Sequence, residues 1–188
     1  MYEFSGIDYV IEHFAEVVSA VPEAKLLLVG GAKELERFKA VATTSRVAER
    51  IVFTGMQPIQ ALPALINLGD VAFNSFRRSG LTDTITPEKL PRYLACGKPV
   101  LATPLAAAQE LLGGEQNGVV FRELGPGFMR AMAELLGDDE RRLSLGAAAR
   151  RFAEQNYDWE RTIDQLESVF EEVVRKRCGG DDGLSEVR

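Results

Sequence analysis

TPEKLPRYLACGKPVLATP, residues 86–104, holds a short helix, its stop signal and a buried strand in one stretch. Thr86 can cap a helix, Pro87 suits the first helical position, and Leu90, Tyr93 and Leu94 share one face. Gly97 ends that helix, Pro99 keeps it from restarting, and Val100-Leu101-Ala102 is a short apolar strand. The polar loop SFRRSGLTDTI leads directly into this helix, and a helix start after such a loop is a place where a fold can hold an anion.

Outward from this stretch, strands and helices alternate. KLLLVGG (25–31) is a continuous apolar run closed by two glycines, as a strand buried on both faces would be; RIVFTG (50–55), DVAFN (70–74) and NGVVF (117–121) are further strands. Ile7, Val10, Ile11, Phe14, Val17, Val18 and Val21 keep helical spacing, with Ser5 and Asp8 as a capping box and Pro22 as the stop. Leu35, Phe38 and Val41 mark a second helix, and 59–68 a third with Pro63 near its first turn. Helices are also predicted at 106–112, 126–136, 139–154 and 158–177. Five strands separated by helices predict an α/β domain over 1–177, a three-layer Rossmann-like fold with a mostly parallel sheet. Residues 178–188 read as a polar, Gly-rich, disordered tail. Such sheets bind ligands beyond the carboxyl ends of their strands, here the loops at 30–33, 54–58, 75–86 and 103–106.

Composition narrows the function classes. The chain has 188 residues, 46% of them hydrophobic and 27% charged, which is enough for one domain with a full core. Its net charge is −6 and its 22 Lys and Arg are scattered, so nucleic acid is not the expected partner. No apolar run has the length of a membrane span, and no signal peptide is evident. Cys96 and Cys178 read as free thiols in a reducing cytosol, so a cytoplasmic protein is expected. No His or Cys cluster suggests a metal, and no cofactor is expected.

Six segments in order resemble the nucleotide-binding C-terminal half of retaining glycosyltransferases with the two-domain GT-B fold. This is the group 1 family of sucrose-synthase-like and mannosyltransferase-like enzymes. The segments are SGIDYVIEHFAEVVSAVPEAKLLLVGG, RIVFTGMQP, LPALINLGDVAFNS, LPRYLACGKPVLAT, QELLGGEQNGVVF and FAEQNYDWERTIDQLESVFEEV. The resemblance implies that this half binds a nucleoside-diphosphate sugar while an N-terminal domain, absent here, binds the acceptor. It also implies that the last helix packs toward that missing domain and that no metal is needed in this half.

The resemblance also assigns residues. The family carries a glutamate pair, the first contacting the donor sugar and the second the ribose; Thr84 and Arg92 stand at those positions here. The catalytic residues are therefore unknown. A guanidinium only donates, so Arg92 cannot accept from a hydroxyl but can meet a phosphate or a carboxylate; Asp83 and Glu88, close by, are candidates to substitute in part for the glutamates. Lys89, with Thr86 and Glu88 at the helix start, is a candidate diphosphate contact or else a solvated lysine. Gly30 and Gly31 can admit a ligand to a strand end or simply turn the chain. Phe53, Thr54 and Gly55 match an element near the donor base, with a core role open for Phe53; Ser75 and Gly80 can offer hydroxyl or backbone groups. Glu110 matches a recurrent glutamate, although Ala106 and Ala107 replace the usual glycines before it. His13 reads as a surface histidine, and Trp159 as a packing anchor for the last helix.

The family's domain starts with a strand and an Arg- and Lys-bearing loop, and this chain starts after them. That strand would lie between those at 26–29 and 71–74, so the sheet must close up, borrow residues 1–4 or pair with a second copy. The chain alone is expected to be nearly inactive. A catalytically silent module for assembly or regulation stays open, as does half of a sugar-nucleotide 2-epimerase. A homodimer through Ile163, Leu166, Val169, Phe170 and Val173 is a further possibility.

Overall fold

The computed structural model describes residues 3–31 and 34–178. The tail expected at 178–188 lies outside them apart from the backbone of Cys178, which ends the last helix. Among the described residues there are five strands and eight α-helices, strictly interleaved until the final three helices. Helix α1 is Ile7–Ala20, followed by β1 Leu26–Val29, α2 Leu35–Thr43, β2 Ile51–Gly55, α3 Leu62–Leu68, β3 Ala72–Asn74 and α4 Lys89–Ala95. Then come β4 Val100–Ala102, α5 Ala106–Leu112, β5 Val119–Phe121, α6 Pro126–Gly137, α7 Asp139–Asn156 and α8 Trp159–Cys178.

All strand pairs are parallel, but the strands form two sheets, β1-β2 and β3-β4-β5. β4 is central to the second, pairing Leu101 with Phe73 on one side and Val120 on the other, and all three of its residues are buried. Such a strand is apolar throughout because helices cover both of its faces. Alternation divides the layers: Phe73, Leu101 and Val120 join Val10, Phe14, Phe128 and Met132 of α1 and α6 in the main core. Val100, Ala102 and Val119 belong to the other face, with Leu90 and Leu94 of α4 and Ala108 and Leu112 of α5 buried apart from that core. The α/β fold with a parallel sheet is as expected from the sequence.

β1 and β3 share no ladder, and each has one edge unpaired among the described residues. Residues Glu3–Ser5 form a 3₁₀ turn at the carboxyl end of β3 instead. The Arg77 N–H donates to the Phe4 carbonyl at 2.7 Å, and the Ser75 hydroxyl to the Ser5 carbonyl at 2.7 Å. Two bonds thus tie the segment before α1 to the carboxyl end of β3, without adding a strand to either sheet.

Three local readings need correction. Helix α4 begins at Lys89 and not at Pro87, and Thr86 does not cap it. The reason is Pro91: in a helix starting at Pro87 its ring would clash with the Pro87 carbonyl, whereas from Lys89 it falls in the first turn, where no N–H is required. The stop is as read: Gly97 has φ 66°, its N–H meets the Leu94 carbonyl at 2.9 Å, and Lys98 N–H meets Tyr93 at 3.1 Å. These two bonds make a Schellman closure. Second, the capping box at α1 is absent; Gly6 is the N-cap with no side-chain cap bond, and Asp8 is drawn into ion pairs instead.

Third, Trp159 is 73% exposed among the described residues, so the packing anchor expected of it is not seen there. The chain separates into a unit Met1–Ala153, which contains every strand, and a unit Glu154–Arg188, which contains α8.

Candidate functional site

Three elements converge on Asp8, in the first turn of α1. Arg37 of α2 reaches Oδ2 at 3.2 Å, and Arg77, from the loop after β3, reaches Oδ1 at 2.8 Å. Asp8 is only 12% exposed and each arginine about half, so one carboxylate ties together the segments that follow β1 and β3. A single aspartate takes two guanidinium partners because its oxygens accept several bonds each. The sequence offered no local sign of this hub, since its members lie 29 and 69 residues apart.

The loop 75–86 is held from within and from outside. Thr82 Oγ1 donates to the Arg77 carbonyl at 2.7 Å and accepts from Ser79 N–H at 2.8 Å. Arg78 Nε contacts Asp83 at 3.1 Å while its Nη1 reaches Glu123 at 3.2 Å. Asp83 also accepts the Ala106 N–H at 3.3 Å, which joins this loop to the turn after β4. Asp83 therefore serves the scaffold. Asp83→Ala is expected to cost about 1–2 kcal/mol, lowering Tm by roughly 3–6 °C for a chain of this size. Thermal melting beside wild type checks this, together with faster proteolysis inside 75–86; unchanged melting and cleavage would contradict it.

Lys89 occupies the centre of this region. Its Nζ sits 4.3 Å from the centroid of Phe76, whose ring meets Phe4 edge-on at 5.1 Å. Burial lowers its ammonium pKa from 10.5 to about 8. No carboxylate pairs with it among the described residues, in contrast to Arg37, Arg77, Arg78 and Arg92. A cation–π contact offsets part of the dehydration but does not cancel the charge. Next to it, burial pushes the Tyr93 phenol up to about 12.

The other sequence-predicted residues fall into two groups. Gly30, Gly31, Thr54 and Gly55 end β1 and β2, where Gly30 N–H donates to the Gly55 carbonyl at 2.9 Å. Open space lies where side chains of Gly30 and Gly55 would project, while Met56 crowds Gly31. Phe53 packs against the core. Around α4, Gly80 is exposed, and Thr84 donates its hydroxyl to the Leu81 carbonyl at 2.8 Å. Thr86 is half-buried; Glu88 is exposed and pairs with Arg92 at 3.7 Å. Ser75 is buried with its hydroxyl turned to Ser5, so it offers no side-chain group to a ligand. At the carboxyl ends of β3 and β4, Asn74 and Thr103 bury side-chain polar atoms without partners among the described residues. His13 is half-buried, stacks on Tyr9 and bonds its carbonyl, a structural role.

Among the described residues no group of three or more His, Cys, Asp or Glu could hold a metal ion. No helix among them is long and apolar enough to cross a membrane. Phe76 and the Asp8 hub were missed by sequence reading; SFRR showed an aromatic beside arginines, but nothing in it indicated which side chain would meet Lys89.

Comparison with known proteins agrees with the fold. A GDP-mannose-dependent alpha-(1-6)-phosphatidylinositol monomannoside mannosyltransferase of Mycolicibacterium smegmatis is 33% identical over 82% of this chain and 41% of its own length. The HepE protein of Anabaena, solved with UDP, superposes with a TM-score of 0.78 at 18% identity, covering 91% of this chain and 46% of that one. The C-terminal domain of a group 1 family glycosyl transferase (LpcC) from Francisella tularensis superposes at 0.70 with 17% identity, over 85% and 83% of the two chains. The chain spans less than half the length of the curated relatives it matches first. The family described as glycosyl transferases group 1 matches residues 1–138, and this chain belongs to it.

Proposed function

We propose that the chain is the donor-binding, C-terminal half of a longer two-domain glycosyltransferase. That enzyme would move a sugar from a nucleoside-diphosphate sugar to an acceptor with retention of configuration. The observation that carries this reading is Lys89, a dehydrated ammonium without a carboxylate partner, held over Phe76 where the loop after β3 enters α4. A diphosphate supplies the missing negative charge, and the charge that builds on it as the glycosyl bond breaks is what Lys89 would stabilise. The UDP in HepE and the GDP-mannose in the mannosyltransferase's name both contain a nucleoside diphosphate, the group this reading places at Lys89. Arg92, donor-only and half-exposed, suits a phosphate better than a ribose hydroxyl.

Thermal-shift titration with UDP, GDP, ADP and their sugar conjugates tests the reading. The nucleotide that binds should add about 2.7 kcal/mol at a hundredfold excess over Kd, and Lys89→Met should cut that shift by about half or more without lowering the unliganded Tm. No shift with any nucleotide, in this chain and in a form extended upstream, would overturn it.

A silent module is the second reading, favoured by one feature. Where the family's glutamate pair stands, Thr84 donates its hydroxyl to the Leu81 carbonyl and Arg92 pairs with Glu88. Nucleotide binding by the full-length protein, with no hydrolysis or transfer, would favour this version.

A further inference from the structure

Among the described lysines, Lys39 and Lys176 give their ammonium groups to Glu36 and Glu172 at 2.8 and 2.6 Å, Lys98 to the Asn67 carbonyl at 3.1 Å, and Lys25 is exposed to water. Each of these settings keeps the proton on the amine. Lys89 is half-buried instead, its Nζ lies 4.3 Å from the centre of the Phe76 ring, and Phe4 backs that ring edge-on at 5.1 Å. The charges around it are taken up elsewhere. Glu88 pairs with Arg92 on its own helix, and on the loop that carries Phe76, Arg77 pairs with Asp8 and Arg78 with Asp83 and Glu123. An amine set against an aromatic ring without an anion gives up its proton more readily than an exposed lysine, and is then a nucleophile.

We propose that Lys89 is a covalent modification site, acylated on Nζ by acyl phosphates, and that this acylation regulates the site at α4. The neutral amine attacks the acyl carbonyl carbon. The C–O bond to phosphate breaks, the phosphate leaves with that electron pair and takes up the amine's proton, and an amide remains. The choice of acyl phosphates rests on the diphosphate reading of α4 given above. Their anionic head is the group that Lys89 and Arg92, three residues apart on one helix face, would draw in, and it is also the leaving group. The amide carries no charge, so acylation removes the cation that a nucleoside diphosphate needs. With a pKa of about 8, about half of the Lys89 amine is neutral at pH 8, against about 0.3% of an amine at 10.5. Lower basicity weakens a nucleophile, as it does for thiols, and leaves an advantage of about tenfold.

Peptide mass spectrometry of the whole chain treated with acetyl phosphate gives the initial acetylation rate at each lysine. At pH 8 Lys89 should react about tenfold faster than Lys25, and its rate should level off above pH 8 while that of Lys25 keeps rising about tenfold per pH unit. A Lys89 rate at or below that of Lys25, or one that climbs in parallel with it to about pH 9.5, overturns the proposal. With p-nitrophenyl acetate, a neutral acyl donor, the lead of Lys89 should shrink; an equal lead overturns the choice of acyl phosphates. Thermal shift with UDP, GDP and ADP on the chain acetylated at Lys89 then reads the regulation. Loss of about half or more of the nucleotide shift supports it, and an unchanged shift overturns it. If the unmodified chain gives no shift while Lys89 is still acetylated selectively, the donor reading falls and the acylation site stands.

Discussion

Gly6→Ala lowers the stability of the chain by about 3 kcal/mol or more, a fall in Tm of roughly 6–12 °C. Two effects add. Gly6 has φ 63°, a left-handed conformation that costs a residue with a Cβ about 1–2 kcal/mol. A methyl there would lie 2.1 Å from the Ser75 carbonyl oxygen and 2.7 Å from Leu124 Cδ2. The first neighbour is backbone and cannot swing away. Backing off would pull Ser5 from the Ser75 hydroxyl and Phe4 from the Arg77 N–H, the bonds that tie this segment to the end of β3. Gly80→Ala is the control: it sits in open space without a positive φ and should be neutral or slightly stabilising. Urea or thermal unfolding of the two variants decides the matter, and equal stabilities would refute the close-approach argument.

The parallel fold was legible because its signals are local. Val100-Leu101-Ala102 between Pro99 and Thr103 can only be a strand buried on both faces, and Gly97 forms the closure that its position implied. The start of α4 was misplaced because two prolines compete for the first turn, and only the second, Pro91, has its missing N–H placed there by the helix. Asp8 was misassigned for another reason. A carboxylate in a first turn is usually explained by capping, and its true partners come from chain segments brought near only by folding.

The site was legible in outline and not in detail. Strand ends and the loop before α4 follow from the topology of any parallel sheet, so Gly30, Gly55 and Lys89 could be named as candidates by position. Which polar groups serve the scaffold depends on side-chain geometry that no spacing encodes. Ser75 was a candidate ligand hydroxyl and Thr84 stood where the family has a glutamate, and both bond to backbone carbonyls. Asp83 looked like a spare carboxylate, and it links Arg78 to the turn after β4. Lys89 differs from all three, as its only contact of note among the described residues is an aromatic ring.

That difference makes the pH dependence of nucleotide binding the sharpest test of the site. Burial sets the folded pKa of Lys89 at about 8 against 10.5 for the exposed side chain, so the unfolded chain holds this proton more tightly. The unliganded protein therefore gains stability from this group as pH rises from about 8 to 10.5, and below 8 the dehydration penalty is present in full. Binding runs the opposite way. A diphosphate needs the ammonium, so affinity should hold steady below pH 8 and then fall by up to tenfold per pH unit. At pH 7, Lys89→Met should weaken binding by about 10- to 150-fold, the worth of a charge-assisted hydrogen bond, and should flatten the dependence above pH 8. Lys89→Arg retains its charge throughout and should keep its affinity at pH 9.5, where the wild type has lost most of its own. Isothermal titration with the nucleotide selected by thermal shift reads all three profiles. A wild-type profile that is flat from pH 7 to 10, or one that Lys89→Met reproduces, would remove Lys89 from the diphosphate site.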